Sequence, residues 1–525
     1  MNKGLADNRN LVSYFATRRG RLFIMFCVIA AGMVFYSQPA LSQPHFEWVR
    51  NYPIIGRAAA IDSSGYVYFV GEQTGGTQKI LKYDSLGNII WTKEFNVITG
   101  SNYLGIAAYK SRYLYITYST QGHSFGLSKF DTSGTLMWTK NISGYYYEPM
   151  CITLDTSGNI YVAGEIDYYA SNSFTVKYNP DGDTLWRAIY YPSTNGGGYI
   201  GRSISVDNQK NVFITGGEIY QSMNSYTTIK YDSLGNRKWV SKYFSPYSPY
   251  SSAGGGSVKA DNKGNCYVTG YITYTIVNGF EKFTPATIKY GPNGDSIWTR
   301  LFRLQDTIDF GAGEDMVLDD NDNVFIPCNY MIKYDKYGNL KWYANNNFYL
   351  RRALLFENNI YGSGGIWDDR IQMLGYDNDR GNVIFNQIYP TTNHPVICDG
   401  NLTFGNSFYI YAHDNDSLIL IKFSSYTSSI SGHGYTIDNF KLHQNYPNPF
   451  NSSTTIRYSI NKNSEIKMKV FDIKGKEVRT ITSEKKTPGI YEVKFDGGGL
   501  SSGIYFYSLF ADNIIIDTKK LILIK

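Results

Sequence analysis

A ten-residue phrase returns through most of the chain and limits what it can fold into more than any other feature. Lys82-Tyr-Asp-Ser-Leu-Gly-Asn-Ile-Ile-Trp91 comes back as Lys129-Phe-Asp-Thr-Ser-Gly-Thr-Leu-Met-Trp138 and as Lys177-Tyr-Asn-Pro-Asp-Gly-Asp-Thr-Leu-Trp186. Further copies end at Trp239, Trp298 and Trp342, a weaker one runs from Gly375 to Phe385, and an eighth opens at Lys422-Phe423 and stops. The aromatic residue in second place (Tyr83, Phe130, Tyr178, Tyr231, Tyr290, Tyr334, Tyr376, Phe423) recurs at steps of 47, 48, 53, 59, 44, 42 and 47. Between the copies lies a second theme, as in 59–71, 151–164, 203–216 and 257–270, where an Asp-led turn leads into an apolar run closed by Gly.

Each unit reads as four short strands, A to D, with Asp-x-x-Gly turns joining A to B and C to D. In such turns Asp or Asn starts the bend and Gly takes the positive φ. Four strands in 40–50 residues is the period of a propeller blade. The chain therefore predicts an all-β fold, an eight-bladed β-propeller with seven blades as the alternative. The last unit (395–424) supplies strands A to C but no Trp-bearing strand D, whereas Phe46-Glu-Trp48-Val-Arg-Asn-Tyr52 is an orphan strand of that kind. One vacancy and one orphan predict that residues 46–52 close the ring, removing two free sheet edges.

Asp-x-x-Gly-x-x-x-Trp, repeated per blade, resembles the tryptophan-docking repeat of quinoprotein dehydrogenases and of their non-enzymatic eight-bladed relatives. The resemblance spans 46–424 and implies that each Trp packs against a neighbouring blade. It implies no activity.

Composition agrees: aromatics are 16% of the chain, with 48 Tyr and 51 Gly, and charged residues only 18%, as in a β protein. The one long apolar run, 22–36, is 15 residues, short of the about 20 that span a bilayer as a helix. Arg18, Arg19 and Arg21 precede it and Ala40-Leu41-Ser42 follows, the order of a cleavable signal peptide over 1–42; an uncleaved anchor is the alternative. Membrane contact is thus expected only through that signal or through surface attachment. The net charge of +6 sits at the ends. Residues 1–42 carry five basic and one acidic side chain, 441–525 carry fourteen and eight, and the middle is left at 31 basic against 35 acidic. A weakly acidic middle gives no reason to expect nucleic-acid binding. Cys151, Cys266, Cys328 and Cys398 lie apart in or beside apolar strands and read as small buried hydrophobes.

Residues 425–440 are rich in Ser and Gly and break the repeat, reading as a linker between the propeller (43–424) and a last module (441–525). That module alternates with period two in Ile466-Lys-Met-Lys-Val470 and in 491–495 and 504–509, the pattern of a small antiparallel β-sandwich. Four of its features resemble the type A C-terminal sorting domain of the type IX secretion system. They are Asn-Tyr446-Pro447-Asn448-Pro449-Phe450, Asp472-x-x-Gly475-Lys, Gly503-Ile-Tyr505 and the ending Lys520-Leu-Ile-Leu-Ile-Lys525. The resemblance implies passage across the outer membrane, the type IX translocon as a partner, and release or surface attachment outside the cell.

Motifs for chemistry do not assemble. Gly122-His-Ser124-Phe-Gly126 has the spacing of a hydrolase elbow, which needs a strand-to-helix turn, but it falls between strands B and C. Asp319-Asp-Asn-Asp322-Asn323 is acidic enough for calcium, yet it occupies an A–B turn where Asp and Asn are expected. No HExxH or adjacent cysteines occur, and no cofactor, metal or catalytic residue is assigned.

Insertions fall in the D–A and B–C connections, at 191–202, 244–257, 164–174, 216–226 and 270–287, rich in Tyr, Ser, Gly and Asn. In a four-stranded meander those connections share one face, and this is the mixture paratopes use. Tyr168, Tyr169, Tyr220, Tyr226, Tyr247, Tyr250 and Tyr274 are the candidate ligand contacts. The expected function is a displayed binding, adhesion or scaffold module for a glycan or protein. The rival is a secreted hydrolase or lyase acting on polysaccharide or peptide at the channel mouth, with Arg57, Arg202, Glu314, Asp315, Arg351, Arg352 and His394 as its charged residues.

Overall fold

A computed structural model describes residues 44–425 and 441–524 apart from short internal stretches, the longest being 167–171, 193–197, 248–252, 305–310 and 391–396. Residues 1–43, with the expected signal peptide, and nearly all of 425–440, the expected linker, lie outside the described residues. The chain divides into two compact units, Met1–Ser428 and Ser429–Lys525.

The first unit contains eight four-stranded antiparallel sheets. Blade one comprises Ile55–Ile61, Val67–Glu72, Gln78–Tyr83 and Ile89–Phe95 as strands A to D. Six more blades of the same order follow at 99–142, 147–190, 198–244, 253–301, 317–345 and 352–390. Blade eight takes strands A to C from Ile397–Phe404, Ser407–His413 and Leu418–Ser424, and its strand D is His45–Tyr52. The closing strand runs antiparallel to Leu418–Ser424, with Phe46 opposite Phe423 and Tyr52 opposite Leu418. Strand A of blade one lies against strand A of blade two and of blade eight, so the ring is closed.

The turns follow from local chemistry. Asp84 Oδ1 accepts the N–H groups of Leu86 (2.9 Å) and Asn88 (2.8 Å), while Oδ2 accepts the Asn88 side-chain amide at 2.9 Å. Gly87, at φ +78°, donates its N–H to the Asp84 carbonyl. The A–B turn at Asp155 repeats the arrangement with Ser157 and Asn159. Each Asp is thus spent on its own turn.

The core lies between blades. One cluster joins Trp48, Tyr409, Leu418 and Leu420 of blade eight to Val67, Phe69, Leu81 and Tyr83 of blade one. Strands B and C are buried on both faces, which is why their apolar residues are not confined to alternate positions. At most seams the repeated Lys and Trp, cross-strand partners within their blade, reach a single backbone oxygen of the next C–D turn; in blade two only Lys129 does, donating to Pro180 O, while the buried Trp138 N–H finds no partner among the described residues. Lys82 Nζ and Trp91 Nε1 donate to Thr132 O at 3.0 and 3.1 Å. Lys177 and Trp186 share Ser233 O, Lys230 and Trp239 share Pro292 O, and Lys333 and Trp342 share Asn378 O. The indole also lies against the turn glycine of the next blade: a Cβ on Gly235 would sit 2.6 Å from the Trp186 ring. Burial pushes the Lys82, Lys177 and Lys333 ammonium groups below the usual lysine range.

Blade seven departs from this pattern for a structural reason. Gly375 and Phe385 hold the register of the Lys–Trp pair, and the blade they face has no C–D turn, because its strand D comes from the N-terminal end of the propeller. No turn carbonyl is there to accept. Phe385 instead meets Phe423 edge-on at 5.7 Å, and the Tyr361 ring occupies the space beside Gly375, where a Cβ would fall 2.5 Å from it.

The second unit is a sandwich of a three-stranded sheet (Lys441–Leu442, Ser453–Ile460, Gly489–Asp496) and a four-stranded one. The strand order of the latter is Glu477–Lys486, Ser464–Phe471, Gly503–Ala511, Ile514–Leu523. Ile456, Ile466, Met468, Val470, Tyr507 and Leu521 fill the space between the sheets.

Candidate functional site

Two of the predicted B–C loops are strands instead. Blade four continues as Val212–Tyr220 and Met223–Tyr231, and blade five as Cys266–Val277 and Phe280–Tyr290, paired almost to their tips. The alternation in Ile272-Thr-Tyr-Thr-Ile276 supports pairing, and the Gly, Ser and Tyr content of these segments masked it. This overturns the placing of Tyr226 on a contact loop. It lies opposite Gly217 on strand C, is fully buried, and packs edge-on to Tyr243 at 5.8 Å. Burial pushes its phenol well above the usual range, and it is a core residue.

Tyr168, Tyr169 and Tyr250 lie outside the described residues, and Tyr220 is described only as the last residue of its strand. Tyr247 and Tyr274 do meet. Tyr247 follows strand D of blade four and Tyr274 stands on strand B of blade five, with their rings edge-on at 6.3 Å. Arg303, just beyond strand D of blade five, holds its guanidinium 5.2 Å from both ring centres and donates from Nη1 to the Tyr247 hydroxyl at 3.2 Å. Three segments converge on the D–A/B–C face. Sequence reading missed Arg303, whose only signal is its place at the end of a D strand beside an insertion.

Among the charged residues of the rival reading one pair is formed, and two others bond to backbone. Arg351 Nε donates to Glu314 Oε2 at 2.9 Å, bridging blades seven and six. Asp315 Oδ2 accepts the Ala353 N–H at 3.1 Å, and Arg352 Nη1 donates to the Arg351 carbonyl. His394 lies outside the described residues, and of Arg57 only its place on strand Ile55–Ile61 is described. Arg202 is exposed near a carboxylate that sequence reading passed over. Glu165 lies opposite Glu148 across strands A and B of blade three. Burial, with the Glu148 charge adding to it, pushes the Glu165 carboxyl up to about 7 against the opposing pull of Arg202.

Other motifs resolve structurally. Ser124 lies in the B–C hairpin of blade two, followed by strand Phe125–Asp131. Asp319 accepts from the backbone of Asn321 and Asn323 and from the Asn323 amide, as its repeat position dictates. Cys266 and Cys328 are buried and Cys151 donates to the Gly201 carbonyl; burial raises the Cys151 and Cys328 thiols to about 12.

In the second unit the opening motif is stitched to the last strand. Asn448 Oδ1 accepts the Ile522 N–H at 2.8 Å and its amide donates to Lys520 O at 3.2 Å. Phe450 makes backbone bonds with Ile522 and Ile524, each at 2.9 Å. Pro447 O accepts from Thr454 and Asn445, and the Asn448–Pro449 bond is cis. Asp472 and Gly475 form the turn after Ser464–Phe471. Gly503 opens the strand Gly503–Ala511, and the Tyr505 hydroxyl donates to Ser501 O. Tyr446 and Lys525 lie outside the described residues.

Fold and tail together define an exported repeat propeller carrying its own sorting module. Residues 444–525 match the secretion system C-terminal sorting domain family, the signal of type IX export to the cell surface or extracellular space. Among solved structures, the chain is similar to Sqt1 from Chaetomium thermophilum, at 9% identity and a TM-score of 0.50 over 73% of this chain and 100% of that one. The same protein bound to the N-terminus of the ribosomal protein L10 gives 10%, 0.50, 73% and 100%. The Dos1 propeller gives 12%, 0.48, 73% and 95%. At these identities the likeness concerns the fold alone. No curated protein matches the chain.

Proposed function

We propose that this protein is a binding or adhesion module delivered outside the cell, with ligand contact on the D–A/B–C face of the propeller. In this reading residues 1–42 are the cleaved signal, 43–424 the propeller, 425–440 a linker, and 441–525 the domain engaged by the type IX translocon. The observation that carries it is the convergence of Tyr247, Tyr274 and Arg303 from three segments of a closed ring. Rigid aromatic area beside an oriented guanidinium is what recognition surfaces use. The test is saturable binding of the secreted protein to a panel of extracellular glycans and proteins, with product release followed in parallel. Binding that weakens in Tyr247→Ala/Tyr274→Ala without product release supports the reading; turnover unaffected by that variant overturns it.

One observation favours the rival hydrolase reading: Glu165, opposite Glu148 across two strands, has its carboxyl pushed up to about 7 chiefly by burial, as happens to carboxyls at acid–base sites. Polysaccharide or peptide cleavage abolished by Glu165→Gln and Glu148→Gln would establish it.

A further inference from the structure

We propose that the ligand is an anionic polysaccharide of uronate type, seated on Tyr247, Tyr274 and Arg303 and along a groove beside them on the outer wall between blades five and six. The proposal deepens the binding reading above and rests on it. Three observations carry it.

The first is an oriented cation. Arg303 is exposed, is oriented by two rings and one hydroxyl, and has no carboxylate partner among the described residues. A guanidinium fixed in this way keeps N–H groups free in a planar fork that fits a carboxylate.

The second is the groove. It encloses about 350 Å³ and is lined by Arg300, Phe302, Arg303, Asn339 and Leu340 among others. That is the low end of the range for small-ligand clefts, about 300–1,000 Å³, with room for a short run of sugar rings rather than a folded partner. Arg300 is held by Nε to Gly338 O at 2.6 Å and by Nη1 to Thr299 O at 2.9 Å, so it adds a second fixed positive charge. No acidic side chain lines the groove among the described residues.

The third is the wall. Phe302 packs at 5.4 Å on Tyr343, which is 46% exposed, and Tyr247 is 39% exposed. Flat, half-open rings offer faces for the C–H surface of a pyranose. Half-open rings close to two fixed guanidinium groups suit a chain that repeats one sugar ring and one carboxylate, which favours a uronate over an acidic peptide.

The experiment measures binding of a uronate hexasaccharide to the full secreted chain by calorimetry. Its carboxyl-reduced neutral form and a Glu-rich peptide serve as comparison ligands. The expected result is saturable uronate binding, weakened about 10- to 100-fold by Arg303→Gln, with Arg303→Lys intermediate and the melting temperature unchanged. Equal binding of the neutral form, or no effect of Arg303→Gln, overturns the anionic assignment while leaving a binding module in place. Binding of the peptide but not the uronate overturns it in favour of a protein partner. Absence of uronate binding overturns it outright, whereas the parent reading is decided separately, by the whole ligand panel and the turnover assay.

Discussion

Trp48 and Lys422 stand opposite one another on the strands that close the propeller, and both donate to one oxygen, Ser85 O, at 3.2 and 2.9 Å. Arg50 adds bonds to Gly87 O and Leu86 O. The two ends of the propeller are therefore joined to each other and, together, to the first blade.

The clasp should dominate stability. Trp48→Ala is expected to cost about 3–5 kcal/mol, as for other buried aromatic truncations, read from urea unfolding. A loss below about 1 kcal/mol would show that the ring holds without it.

Restoring the consensus in blade seven should do harm. Gly375→Lys places a side chain against the Tyr361 ring with no turn carbonyl to receive its ammonium group. It is expected to destabilise by about 1–3 kcal/mol through overpacking, measured by the same unfolding assay. A gain in stability would refute the explanation given for this departure.

Alkaline unfolding should track tyrosine ionisation. Burial raises the Tyr231 and Tyr409 phenols to about 12, and those of Tyr83 and Tyr178 further, against about 10 in the unfolded chain. The folded state holds these protons more tightly, so stability is intact below about pH 10 and falls as pH rises beyond it. Tyrosinate absorbance and the loss of β signal should rise together, and early ionisation in a folded protein would contradict this.

Glu165 gives a second pH dependence. Folded, its carboxyl keeps a proton to about 7; unfolded, it loses it near about 4.3. The folded state binds more protons in that window, and stability falls as pH rises across it. Relative to wild type, the melting temperature of Glu165→Gln should therefore climb between about pH 5 and about pH 7.5 and then level off. A constant difference across that range would place the carboxyl elsewhere.

The tail should act on export and not on propeller folding. The sheets of the two units share no strand. Removing 441–525 should leave the propeller's melting unchanged and hold the protein in the periplasm. Asn448→Ala, which loses two bonds to the last strand, should reduce the secreted fraction. Normal secretion of the truncated chain would contradict the sorting assignment.

The sequence by itself determined the repeat, the turns and the closure. Those rest on interactions within a few residues, such as Asp84 with Asn88, or on counting strands, as with the orphan around Trp48. Period-two alternation and the Asp-x-x-Gly turn act before any blade packs on another, so they are legible along the chain. Tertiary structure alone decided which tyrosines face solvent. Tyr226 and Tyr247 both lie in polar, Tyr-rich stretches, but a residue is buried or exposed according to the blade that covers it. The same holds for the union of Tyr247, Tyr274 and Arg303, and for Gly375, whose reason lies in a turn missing from the neighbouring blade.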